Sequence, residues 1–233
     1  MKLEQILTLA EIETWRSPES FVDWFEGLLN QIRQIDDENL RLQLLLHEDL
    51  AKRFYEELFP LYALLRKKKD AWSSVLVKNI LGNQKGDVAV KKCGLLLPDI
   101  PDRFEITWAV NGWDHMMRME HLIRHQQANM TGPVSVRREG GQRTVVIEPE
   151  AKQCSNTLAE VSALIQSRID KKLTKNYAKG TALIIYVEDF GMFAGPKHLK
   201  ELEVVLNANC CQLKQVFQTA FLVVSSNLAV VEI

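Results

Sequence analysis

The chain has 233 residues, enough for one large domain or a domain with a helical extension, and its 46% hydrophobic and 25% charged content is ordinary globular material. A net charge of −1 excludes a global basic field, so any nucleic-acid surface must be local. No apolar run approaches the ~20 residues of a membrane helix, the acids inside MKLEQILTLAEIETW argue against a signal peptide, and Cys93, Cys154, Cys210 and Cys211 form no CxxC pair. These features predict a cytoplasmic protein with reduced thiols and no membrane contact.

Taken in order, Ser17-Pro18-Glu19 is a helix start, with a capping hydroxyl, proline at the first helical position and an acid in the first turn. Phe21, Trp24, Phe25, Leu28, Leu29 and Ile32 follow at helical spacing, as core or as a dimerisation face for a homo-oligomer. Asp36 or Asp37 caps a second, leucine-rich helix from Leu40 to Leu58, which Pro60 kinks or ends. Leu61 to Lys69 closes on Arg66-Lys67-Lys68-Lys69, which reads as charge favoured by the helix dipole or as a phosphate patch. Trp72, Val75, Leu76 and Ile80 suggest a short helix closed by Gly82-Asn83.

The stretch from Gly86 to Val110 reads as two strands flanking a loop. Arg103 to Ala109 alternates, with Phe104, Ile106 and Trp108 on one face and Glu105, Thr107 and Ala109 on the other. A carboxylate in the middle of an aromatic-rich strand needs a cation, a metal or an open cleft. Asp87 opens the first strand, and Asp99 and Asp102 crowd the loop. Such acids on a hairpin suit a hard divalent cation.

Trp113 to Gln126 is a helix carrying His115, His121 and His125. The last two are one turn apart but lack the HExxH order and a third zinc ligand. Val134 to Arg138 and Arg143 to Glu148 form a hairpin about Glu139-Gly140-Gly141, basic through Arg137, Arg138 and Arg143. It is a solvated face or a wing that touches a nucleic-acid backbone. Ser155 or Asn156 begins the longest helix, striped by Leu158, Val161, Leu164, Ile165, Ile169 and Leu173, with Arg168, Lys171, Lys172, Lys175 and Lys179 making its end basic. Lys172 lies at the edge of that stripe, where its ammonium snorkels to water or reaches a site over the sheet.

Thr181 to Val187 is a strand covered on both faces and ended by Glu188-Asp189. Pro196 to Asn207 is a helix, Val216 to Val224 a second buried strand, and Leu228 to Ile233 its hairpin partner after a turn at Asn227. The expected fold is α/β: a mixed sheet flanked by helices, with an N-terminal helical region over 1–85, a core over 86–233 and a hairpin insertion around 131–149.

Asp87 on one strand, Glu105 on the next, then a basic amphipathic helix and an apolar strand resemble the restriction-endonuclease-like PD-(D/E)XK nuclease superfamily. The residues that carry the likeness are Gly86 to Val90, Phe104 to Thr107, Ile165 to Tyr177 and Leu183 to Tyr186, within roughly Leu40 to Val187. An insertion lies between Asn111 and Ile147. The resemblance implies a helix, a three-stranded meander, a helix and a strand. It also implies a magnesium ion on Asp87 and Glu105, hydrolysing a phosphodiester of nucleic acid. Asp99, in a literal Pro98-Asp99 pair, competes with Asp87; Asp87 opens a strand and is preferred. The superfamily's lysine falls on Thr107, whose hydroxyl carries no positive charge. Lys172 is the candidate substitute, with Arg168, Lys171 and Lys175 guiding the phosphate backbone. The competing expectation is a non-catalytic accessory protein that keeps the same fold as a scaffold. A third reading, an ordinary α/β enzyme, finds no GxGxxG, GxxxxGK[ST] or GxSxG, and Gly191 to Gly195 lacks the phosphate-loop order.

Overall fold

A computed structural model describes residues 1–82, 86–94, 99–129, 131–188, 196–225 and 228–233. The expectations placed on Asn83, Pro98, Asp189, the Gly191 to Gly195 stretch and the Asn227 turn lie outside the described residues.

The N-terminal layer consists of α1 (Leu9–Ile12), α2 (Pro18–Gln34), α3 (Glu38–Leu46), α4 (Leu50–Arg53), a π-helical segment over Phe54–Leu58, and α5 (Phe59–Lys68). Ser17 caps α2 by accepting from the Ser20 N–H at 3.2 Å, and Asp37 caps α3 by accepting from the Leu40 N–H at 3.0 Å. Phe21 and Phe25 are core residues, and Phe25 packs on Phe54 and Tyr62 with ring centroids 5.1 and 4.9 Å apart. The leucine-rich helix breaks earlier than its composition suggests. His47 turns left-handed (φ 52°) at the end of α3, ahead of Pro60, which instead sits in the first turn of α5. Proline offers no N–H to the carbonyl one turn back, and the helix widens into the π segment immediately before it.

The sheet contains β1 (Val75–Asn79), β2 (Val88–Lys92), β3 (Arg103–Trp108), β6 (Thr181–Val187), β7 (Ala220–Val224) and β8 (Ala229–Glu232), in that spatial order. The first three form an antiparallel meander; β6 runs parallel to β3 and β7 parallel to β6; β8 returns antiparallel. The fold is therefore α/β, a mixed six-stranded sheet flanked by helices. Residues Trp72 to Ile80, expected as a helix, instead supply β1. Val75, Val77 and Asn79 are buried in alternation, a period of two that the β-branched residues favour. The sheet thus begins ahead of residue 86.

Between β3 and β6 lie α6 (Gly112–His125), the separate hairpin of β4 (Val134–Glu139) and β5 (Gln142–Ile147), and α7 (Cys154–Leu173). The hairpin packs on α6 through Met117, Val145 and Ile147. Its Arg143 is paired with Glu120 at 2.9 Å and its Arg137 with Glu148 at 3.7 Å. After β6 come α8 (Pro196–Ala208) and α9 (Cys210–Val216). Val216, expected to begin a strand, ends α9, a seven-residue helix too short for a clear apolar period; Leu213 is its buried residue. One face of the sheet buries the N-terminal layer over Phe104, Ile106, Ile184 and Phe221. The other packs α7, α8 and α9 over Leu183, Ile185 and Leu222. All seven residues of β6 are buried, as expected of a strand covered on both faces. Among the described residues no helix is long and apolar enough to cross a membrane.

Candidate functional site

Strand β3 has two different edges. Along β6 it pairs over its full length, Arg103 with Thr181 through Trp108 with Tyr186. Along β2 the register covers only Val88 with Phe104 and Ala89 with Arg103. Past that point the strands part. Gly86, at φ 98°, makes the turn into β2, and an added Cβ there would lie 3.3 Å from the Phe104 carbonyl oxygen. Asp87 then donates its N–H to the Phe104 carbonyl at 2.8 Å. Its Oδ2 accepts from the Ile106 N–H at 2.6 Å. A side-chain carboxylate thus replaces the next rung of the ladder.

Where the strands part, a cleft of about 510 Å³ opens, with Glu57, Asp87, Thr107, Trp108, Arg168 and Lys172 among its walls. Alternation turns Phe104 and Ile106 toward the N-terminal layer and Glu105 toward α7. Lys172, in the last turn of α7, places Nζ 2.5 Å from Glu105 Oε1 and 3.4 Å from the Ile106 carbonyl oxygen. Both side chains are 12% exposed, so the pair is largely withdrawn from water. The Tyr177 hydroxyl donates to the same Glu105 oxygen at 3.3 Å. Burial, and then the Glu105 charge, push the Tyr177 hydroxyl well above its ordinary range. Asp87 is raised as well: burial dominates and the Glu105 charge adds, against the Ile106 N–H and Lys172.

Glu57 faces the same cleft from the π-helical segment, and burial together with the Asp87 charge pushes it up to about 7. Arg53 pairs with it at 3.2 Å. Sequence reasoning missed Glu57, although a signal existed: Glu56-Glu57 is an acidic pair enclosed by Phe54-Tyr55 and Leu58-Phe59. It also missed the aromatic wall. His47 stacks on Tyr55 (4.6 Å, 6°) and on Trp108 (4.9 Å, 24°), and His115 meets Trp108 edge-on at 4.8 Å. Burial lowers His47 and His115 each to about 4.

Of the residues singled out from the sequence, Asp87, Glu105 and Lys172 come together. Arg168 lines the cleft and donates to the Val110 carbonyl at 2.5 Å. Lys171 and Lys175 are exposed and take no part in its lining. Asp99 is an exposed turn residue outside it. Thr107 does line the cleft, with a hydroxyl where the resemblance calls for an ammonium. His121 is held by the Val145 carbonyl at 3.1 Å from its Nδ1.

Among the described residues no group of three or more His, Cys, Asp or Glu is gathered as metal ligands. The donor chemistry nonetheless fits a hard divalent cation. Asp87 Oδ1 and Glu105 Oε2 accept no hydrogen bond among the described residues, since only the other oxygen of each is engaged. Magnesium needs only one or two carboxylates and keeps several waters. Compared with known proteins, the chain matches no family model, no curated protein and no solved structure.

Proposed function

We propose that the cleft binds the phosphodiester backbone of a nucleic acid and hydrolyses it with magnesium, in a divergent relative of the PD-(D/E)XK nucleases. The observation that carries this reading is the Lys172 ammonium 2.5 Å from Glu105 Oε1, beside Asp87, at the point where β2 and β3 part. The meander, the basic helix and a strand parallel to β3 support the resemblance. So does an ammonium arriving from α7 when position 107 holds threonine.

Asp87 and Glu105 would hold the ion through their unengaged oxygens. When bound, magnesium supplies Lewis-acid polarisation of the phosphate and a more acidic water. Lys172 sets a positive charge where phosphoryl oxygens gain negative charge in the transition state. Its contact with Glu105 also fixes that carboxylate, and Tyr177 donates to the same oxygen. Arg168 and Lys52, both in the cleft wall, are suited to backbone phosphates.

A second reading, a non-catalytic scaffold, is favoured by one observation. The Lys172–Glu105–Tyr177 bonds and the Asp87–Ile106 bond each engage one oxygen of a carboxylate within the protein itself. A buried network of this kind holds elements together without a ligand.

Calorimetric titration of magnesium or manganese into wild type and Glu105→Ala separates the two. The hydrolytic reading expects wild-type binding that the variant loses, and metal-dependent cleavage that Glu105→Ala abolishes and Lys172→Ala lowers by about a hundredfold or more. A wild type with no metal binding, no cleavage and no salt-sensitive nucleic-acid binding returns Glu105 to a structural role.

A further inference from the structure

The phosphate chemistry occupies one wall of the cleft and leaves another unexplained. That second wall is aromatic: His47, Trp108 and His115 line it, with Met116 alongside. Its rings are held in register with one another. Tyr55, His47 and Trp108 form a stack at centroid spacings of 4.6 and 4.9 Å, and His115 closes its edge. His47 takes a left-handed backbone (φ 52°), a conformation histidine adopts more readily than most side chains, and it stacks on Tyr55 and Trp108. His47 Nδ1 and Trp108 Nε1 are buried without a hydrogen-bond partner among the described residues. A wall built for stability alone has little reason to carry such groups, since apolar rings would fill the space at no polar cost.

The wall continues outward on α6. Trp113 and Met116, three residues apart on one helix face, are 50% and 47% exposed. Large apolar side chains this open, next to a charged cleft, are a contact surface rather than core. Met116, His115 and Trp108 line the same cleft as Asp87 and Lys172, and Trp113 lies next to Gly112 of that lining.

We infer that this aromatic track takes the bases of a single-stranded nucleic acid, or of an unpaired end, while its phosphates meet Arg168 and Lys172. The inference rests on the nucleic-acid reading above and narrows it from any polymer to one with unstacked bases. Rings bind a base through its π-face, and bases in a duplex already cover those faces with their neighbours. The volume agrees: about 510 Å³ is of the size that holds one small ligand, so one nucleotide unit enters rather than a duplex. Stacking is tolerant of base identity because every base has a π-face, so the track reads strandedness rather than sequence.

The test is fluorescence anisotropy with labelled oligodeoxythymidylate, labelled oligouridylate and a blunt duplex of equal length, in EDTA so that no cleavage intervenes. Wild type is expected to bind a single strand at least about tenfold tighter than the duplex, and the two single-strand arms tell DNA from RNA. Trp113→Ala, at an exposed site that does not threaten folding, and His115→Ala should each weaken single-strand binding by about fivefold or more. Trp113→Phe and His115→Phe should restore most of it. The salt dependence should be unchanged in these variants and reduced in Arg168→Ala. Equal affinity for duplex and single strand, or aromatic variants that bind like wild type, overturns the track and leaves the nucleic-acid reading standing on its salt-sensitive binding. Binding to none of the three polymers overturns both.

Discussion

The two edges of β3 are built from the same six residues and end in opposite states. Toward β6 every residue is paired and the neighbouring strand is wholly buried. Toward β2 the ladder stops after two pairs, and a carboxylate fills the next rung. The closed edge gains from hydrocarbon burial, which has no direction and no charge. The open edge collects groups that hydrocarbon would reject: Asp87, Glu105, Lys172 and Glu57. Asp87 and Glu57, both raised, mark the cost of crowding charge into a place that water reaches poorly. A site of this kind is stable because the closed edge holds β3 in position while the open edge remains unpaired.

Substitutions at the two edges should destabilise the protein by different routes. Ile184, fully buried on β6 opposite Ile106, is the larger lever. Ile184→Ala should lower unfolding free energy by about 3–4 kcal/mol in urea, through lost transfer and the cavity left behind. A loss below about 1 kcal/mol would mean that the closed edge is not what secures β3.

At the open edge, Lys172→Met strands the Glu105 carboxylate beside α7. We expect a loss of about 2 kcal/mol, below the range for a fully buried pair because both side chains keep some water contact. Adding Glu105→Gln to Lys172→Met should recover most of that loss, since the uncompensated charge is then gone. A double variant as unstable as the sum of the two singles would show that the pair is not coupled.

The smallest effect is in pH. Glu57 sits at about 7 in the folded chain against an ordinary 4.5, so the folded state keeps its proton longer than the unfolded one. Its contribution is full below 4.5 and is lost as pH rises through 7. Glu57→Gln should remove the fall in stability that Glu57 contributes, most clearly above pH 6.5. His47 and His115 act in the opposite sense. Each is lowered to about 4 from 6.5, so the unfolded state binds their protons first and stability falls as pH drops from 6.5 toward 4. Because the two windows overlap, thermal unfolding across pH 4 to 8 is compared between wild type and Glu57→Gln, and a profile unchanged by the substitution would remove Glu57 from the cleft's charge balance.

Much of this was legible in the residues themselves. Ser17-Pro18 announced α2 because capping and proline geometry are local, and TALIIYV announced β6 because a strand covered on both faces has no polar side to show. Alternation over Arg103 to Ala109 separated Glu105 from the hydrophobic face before any partner strand was known. Where two periods competed, at Trp72 to Ile80, the apolar residues served either a helix or a strand, and pairing with β2 decided it. Lys172 illustrates the boundary best. Its place at the edge of the α7 stripe followed from spacing, but whether the ammonium met water or Glu105 depended on how α7 lies across β3. Glu57 and His47 reached the cleft, and Tyr177 reached Glu105, only through packing between segments far apart in the chain. Local periodicity records which side of its own element a residue occupies. The meeting of side chains from β2, β3, α7 and the N-terminal layer is a property of how those elements pack, and only the tertiary structure decided it.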